Sequence, residues 1–171
     1  YLSVNVEGTL RVLQAAVEAR AEKLVFASSS SVYGLGSQVP FREDQPLGRP
    51  ASPYGASKIA AEAYCHVYHH LHGLPVVVTR IFNAIGPRQR PELAISKFVG
   101  LMREGKPIPI YGDGASTRDY TYVGDIVAGL LAALDADLKY EVINIGCSHP
   151  VALGTLIATL EDVLGVEVRI K

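Results

Sequence analysis

The chain has 171 residues, 49% hydrophobic and 19% charged, with 16 basic against 17 acidic side chains and a net charge of −1. That composition supports a buried core, and the even charge balance excludes a nucleic-acid-binding footprint or a basic membrane-binding face. No apolar run reaches transmembrane length, no signal peptide is read at the start, and Cys65 and Cys147 form no spaced pair. These features predict a cytoplasmic protein with reduced thiols.

In chain order, residues 1–19 predict a helix, with apolar positions at Leu2, Val6, Leu10, Leu13 and Val17. The chain opens in the middle of that pattern and stops just after an alternating strand, VEVRI, so it reads as an internal piece of a longer protein. KLVFA at 23–27 predicts a short buried parallel strand, followed by a polar loop to about residue 51. Residues 53–72 predict a long helix ended by Gly73, and PVVVTRIF at 75–82 a second buried strand. A loop, IGPRQRPE, leads to a helix over 92–104, an extended PIPIY and a turn at GDGAST. YTYV predicts a brief strand, Asp125 a cap for a helix over 126–135, and EVINI a third apolar strand. Residues 151–164 predict an amphipathic helix closed by Gly165. Strands alternating with helices specify an α/β fold with a doubly wound parallel sheet.

SPYGASK at 52–58 carries chemistry. Ser52 suits an N-cap and Pro53 the first helical position. Tyr54 and Lys58, four residues apart, then share one helix face near the positive end of the dipole. An ammonium and a helix N-terminus both favour a phenolate, which makes the tyrosine a candidate proton shuttle. In open parallel sheets ligands bind at the carboxyl ends of strands. Those ends run into Ser28–Ser31, Phe82–Asn83, and Asn144 with Gly146.

NVEGT (5–9), SSSSVYG (28–34), SPYGASK (52–58), RIFNAIGP (80–87), RDYTYVGD (118–125) and INIG (143–146) follow one another in an ordered set. Together they resemble the extended short-chain dehydrogenase/reductase family, in its nucleotide-sugar epimerase/dehydratase branch, over nearly the whole chain. The resemblance implies a Rossmann-like sheet lacking its first strands, with part of a smaller C-terminal substrate domain. It places residues 1–83 and 121–147 in the NAD-binding domain, with 84–120 and 148–171 in the substrate domain. By matching position, Tyr54 resembles the catalytic acid/base, and Lys58 the lysine that holds the nicotinamide ribose and lowers the tyrosine pKa. Ser29 resembles the residue that hydrogen-bonds both the sugar hydroxyl and the tyrosine. Asn5 and Phe82 match NAD-contacting positions, Asn83 a contact to the bound nucleotide sugar, and Arg118 the arginine that grips its diphosphate. A guanidinium fork suits phosphate oxygens; the plainer alternative for Arg118 is a surface ion pair with Asp119 or Asp125.

Dehydratases of this branch carry an Asp–Glu pair after the catalytic hydroxyl, and related decarboxylases keep a glutamate at the second place. Here those places hold Ser30 and Ser31. The resemblance therefore implies NAD as cofactor and 4-epimerisation of a UDP-sugar by transient oxidation at C4, with Tyr54 taking the 4-hydroxyl proton. SSSSVYGL and GPRQRPE resemble UDP-glucuronate 4-epimerases more than glucose/galactose epimerases. The alternatives are a decarboxylase, dehydratase or reductase of the same family, or a non-catalytic nucleotide-binding member. The family also implies a homodimer built on the helices at 1–19 and 53–72. The glycine-rich turn that cradles the pyrophosphate and the acidic residue for the adenosine ribose precede Tyr1 in that family. At ~30 residues per βαβ unit, about 90 residues would lie upstream, so the 171 residues alone are expected not to bind NAD tightly. His66 and His70 stand at a zinc-ligand spacing. No HExxH pattern or third ligand accompanies them, so no metal is expected.

Overall fold

The computed structural model describes residues 1–110, 112 and 114–170. The expected PIPIY extension at Tyr111, the GDGAST turn at Asp113 and the final Lys171 fall outside the described residues. The chain forms two compact units, one of residues 1–82 and 124–145, the other of residues 83–123 and 146–171.

In the first unit, strands β1 (Leu24–Ser29), β2 (Val76–Ile81) and β5 (Tyr140–Ile145) form a parallel sheet in the order β1-β2-β5. The register pairs Ser28 with Arg80 and Arg80 with Asn144, so the carboxyl ends of all three strands lie level. Helices α1 (Gly8–Glu18) and α2 (Pro53–His72) cover one face, where Leu13 and Cys65 are buried against Val76 and Val78. Helix α4 (Val123–Asp135) covers the other, and Gly129 allows it onto Ile145, which a Cβ there would meet at 3.1 Å. Strand β2 is buried on both faces, as a sheet sandwiched by helices requires.

Helix α2 has the predicted bounds because both ends are encoded. Ser52 Oγ accepts from the Gly55 amide at 3.0 Å, Pro53 opens the helix, and Gly73 closes it in the left-handed conformation at φ 66°. Elsewhere the structure corrects the reading. The helix expected over 1–19 is π-helical over Leu2–Glu7 before α1 begins. There the Thr9 hydroxyl donates back to the Asn5 carbonyl at 2.6 Å, competing with the regular ladder. Strand β1 continues through Ser28 and Ser29 instead of ending at Ala27, because the ladder to β2 carries on.

The second unit contains β3 (Asn83–Ile85), α3 (Ala94–Arg103), β4 (Thr117–Tyr122), β6 (Pro150–Ala152) and α5 (Leu153–Leu164). Its sheet has β4 between a parallel β3 and an antiparallel β6. Phe98, Met102, Ile108 and Ile157 form its core. β3 and β6 are three-residue strands with no periodicity to read, and β6 takes the first residues of the segment expected as helix 151–164. Asp125 is not a cap: α4 already begins at Val123, and Asp125 lies in its first turn. VEVRI is no strand either, and makes one bridge, between Ile170 and Ile108.

Both cysteines are free thiols, Cys65 buried and Cys147 exposed. Burial, with Glu62 nearby, pushes the Cys65 pKa up to about 12. The Asp119 carboxylate, which accepts from Cys147 Sγ at 3.1 Å, raises the Cys147 pKa as well. With the native chain, Ellman's reagent should label one thiol, Cys147, and reach Cys65 only after denaturation. Equal labelling rates at both sites would contradict this packing.

Candidate active site

The end of β1 and the start of α2 meet closely. A Cβ at Gly55 would come within 2.8 Å of the Ser31 carbonyl oxygen, so glycine beside Tyr54 lets the helix N-terminus approach the turn that follows β1. That turn is a short 3-10 segment, Ser30–Val32, with Ser29 as its cap. Lys58 Nζ donates to the Ala27 carbonyl at 2.8 Å and stands 5.9 Å from the Tyr54 ring centroid and 5.0 Å from that of Phe26. Burial pulls the Lys58 pKa below its usual value, while Cys65 and Glu62 act in the opposite direction. Tyr54 is half-buried, its ring 5.5 Å from that of Tyr1, and its hydroxyl makes no hydrogen bond among the described residues.

Ser29, Tyr54 and Lys58 therefore gather where one strand ends and one helix begins. The expected hydrogen bond between Ser29 and Tyr54 is not made. Ser29 Oγ donates to Ser31 Oγ and accepts from the Ser31 amide, both at 3.2 Å, as the capping role of Ser29 dictates. Asn5 joins the group indirectly: its amide donates to Ser57 Oγ at 2.9 Å, and Ser57 Oγ donates to the Tyr54 carbonyl at 2.7 Å. Phe82 donates its amide to Ile145 O at 3.0 Å, with its ring 6.3 Å from that of Phe41.

Asn83 and Arg118 belong to the second unit. Asn83 Nδ2 donates to the Asp119 carbonyl at 3.2 Å, beside Arg118 on β4. Arg118 is exposed and donates to the Thr117 carbonyl at 2.7 Å; among the described residues it makes no ion pair. Its neighbour Asp119 is already engaged, accepting from the amides of Cys147 and Ser148, from Cys147 Sγ and from the Thr121 hydroxyl. Burial opposes ionisation of Asp119, but these donors outweigh it and hold the pKa below the usual carboxylate value. The alternative of an Arg118–Asp119 pair is thereby removed.

A buried polar network behind the strand ends escaped the sequence reading. Glu62, four residues after Lys58, pairs with Arg80 at 2.8 Å, with side-chain exposures of 8% and 6%. Ser28 donates to Glu62, Arg80 donates to the Tyr33 hydroxyl at 3.1 Å, and Tyr33 donates to Asn144 Oδ1 at 2.7 Å. Glu43 and Phe41 complete it from the loop: Glu43 Oε1 accepts from the Asn144 amide and Phe41 O from its side chain. The available signal was an arginine inside the apolar run VVVTRIF, since a charge there needs a buried partner. His66 and His70 stack with ring centroids 6.5 Å apart, and among the described residues no group of three metal-ligating side chains forms.

A family model described as "NAD dependent epimerase/dehydratase family" matches residues 1–146. The chain belongs to that family. Among its relatives, a UDP-glucuronate 4-epimerase of Thermodesulfobacterium geofontis is 41% identical over 170 residues, 99% of this chain and 52% of that protein. A solved structure described as UDP-glucuronic acid 4-epimerase from Bacillus cereus, in complex with UDP-glucuronic acid and NAD, superposes with a TM-score of 0.93 at 38% identity. It is covered over 55% of its length by the whole of this chain. DesIV, a dTDP-glucose 4,6-dehydratase from Streptomyces venezuelae solved with NAD bound, gives 0.92 at 35% identity, covering all of this chain and 54% of that one. The chain spans about half the length of the relatives it matches. No helix among the described residues is long and apolar enough to cross a membrane.

Proposed function

We propose that this chain carries the catalytic residues of an NAD-dependent nucleotide-sugar 4-epimerase of the UDP-glucuronate or UDP-glucose/galactose type. The observation that carries the reading is the start of α2 set against the end of β1. There Lys58 is anchored on Ala27, and the Tyr54 hydroxyl makes no hydrogen bond among the described residues. The likeness to 4-epimerases over the whole chain supports it.

The residues fit the nicotinamide end of NAD. Lys58 spends one of its three donors on Ala27, which leaves two for ribose hydroxyls beside Tyr54. Asn5, which bonds to Ser57 behind Tyr54, and Phe82 would contact the cofactor, whose domain would comprise residues 1–83 and 121–147. Held there, NAD would supply a hydride acceptor and donor for C4 of the sugar. Tyr54 Oη takes the proton of the sugar 4-hydroxyl and gives it back after the ring has presented its other face. Ser29 Oγ orients that hydroxyl by exchanging its Ser31 contact for the sugar. Asn83 and Arg118, with residues 84–120 and 148–171, hold the nucleotide sugar.

Water loss or decarboxylation would call on an additional acid. Of the carboxylates near the strand ends, Glu62 is consumed by Arg80 and Ser28, and Glu43 accepts from the Asn144 amide. This favours epimerisation over the dehydratase and decarboxylase alternatives. Given UDP-glucuronate or UDP-glucose, the protein carrying this chain should yield the C4 epimer by NMR. A 4-keto-6-deoxy sugar or a decarboxylated product would assign the other reactions.

For Arg118, replacement by alanine should weaken UDP-sugar binding by about 1.5–3 kcal/mol, the scale of hydrogen bonds to a charged group. Unchanged calorimetric affinity would place the diphosphate elsewhere. A homodimer is also part of the proposal. Val12 of α1 and Tyr64, Val67 and Leu71 of α2 are exposed, the last three spaced as one helical stripe. Such a stripe suits a twin helix pair, and a monomer by light scattering at micromolar concentration would exclude it.

A further inference from the structure

The ion pair of Glu62 and Arg80 takes no part in the chemistry above, yet it lies directly behind it. Tyr54, Lys58 and Glu62 succeed one another at four-residue steps along α2. Three consecutive residues of the facing strand lie against them: the Ala27 carbonyl accepts from Lys58, the Ser28 hydroxyl donates to Glu62, and Ser29 is the candidate hydroxyl. Arg80 closes on Glu62 with Nη2 at 2.8 Å from Oε2 and Nε at 3.2 and 3.3 Å from the two oxygens. The guanidinium lies 4.9 Å over the Tyr33 ring. Arg80 thus joins β2 to α2, and Ser28 joins β1 to the same carboxylate.

Stability alone gives little reason for such a pair. Desolvating two charges costs about what their attraction returns, and well-packed apolar residues of similar volume serve as well or better. A forked guanidinium fixes distance and angle in a way that apolar packing does not. We propose that Glu62, held by Arg80 and Ser28, is a positioning residue that sets the turn of α2 bearing Lys58 and Tyr54 against the end of β1. This rests on the epimerase reading for its consequence in turnover, but its structural core is independent of that reading. Glu62 also supplies the fixed negative charge on the Lys58 side of α2, since the Cys65 thiol stays protonated at neutral pH.

The test uses three variants of the protein carrying this chain: Ser28→Ala, Glu62→Gln, and the apolar double replacement Glu62→Leu with Arg80→Met. The readouts are kcat and KM for the UDP-sugar, and the titration of Lys58 followed by carbon-13 NMR after reductive methylation, assigned with Lys58→Arg. Glu62→Gln should lower kcat about 10–100-fold with KM within about twofold, the effect of ångström-scale misplacement of catalytic groups. It should also move the Lys58 midpoint to lower pH, because a negative charge that favours the ammonium is gone. Ser28→Ala should lower kcat by a few-fold at unchanged KM. The apolar double variant strands neither charge, so it should stay folded, and it should still lose kcat. Should Glu62→Gln fail to fold, the double variant carries the test. Wild-type kcat in the folded double variant, or an unmoved Lys58 midpoint in folded Glu62→Gln, would overturn the proposal. If the parent protein shows no turnover of any UDP-sugar, the epimerase reading fails, and the Lys58 titration still decides the positioning role.

Discussion

Replacing Tyr54 by phenylalanine should abolish turnover of the nucleotide sugar while leaving its binding nearly intact. The ring packs against Tyr1 and stands within reach of the Lys58 ammonium, and phenylalanine preserves both neighbours. Only the hydroxyl is lost, and that hydroxyl makes no hydrogen bond among the described residues, so the fold has nothing to lose with it. The expected deficit is that of a missing general acid/base, about 10²–10⁴-fold in kcat. Because the loss falls on proton transfer and not on the sites assigned to the diphosphate, KM should stay within a few-fold. Turnover within about threefold of the parent would remove Tyr54 from the chemistry.

Arg80→Leu should have the largest effect on stability. Glu62 would remain among Ser28, Cys65 and the sheet with its charge unanswered, at a side-chain exposure of 8%. Stranding one partner of a buried pair costs about 3–5 kcal/mol. The damage should also spread, since Arg80 donates to Tyr33, Tyr33 to Asn144, and Asn144 to the loop at Phe41. Urea denaturation should show a lower midpoint, and a loss under about 1 kcal/mol would mean that water or a rearranged partner reaches Glu62.

These two variants separate what was legible in the sequence from what was not. Helix α2 was legible to the residue because its signals are local: a serine cap, a proline and a closing glycine. The parallel strands were legible as apolar runs, although the end of β1 was not. Ser28 and Ser29 look like a turn, and only the ladder to Arg80 and Ile81 keeps them in the strand. The π-helical opening at Leu2–Glu7 differs from an α-helix only in backbone hydrogen-bond spacing, which apolar periodicity does not report. Tyr54 and Lys58 announce themselves by spacing, whereas Glu62 and Arg80 are 18 residues apart in sequence and meet only when α2 lies on β2. Long-range polar partners of this kind are chosen by topology, so a single sequence flags the orphan charge without naming its mate.

The proposed reaction inverts C4 by oxidising and reducing that carbon, with Tyr54 handling only the hydroxyl proton. A UDP-sugar deuterated at C4 tests it directly. Hydride removed and returned within one site does not exchange with water, so in light water the epimerised product should keep its deuterium at C4. Loss of the label to solvent in the product, or product from which the label has migrated to C6, would contradict the account.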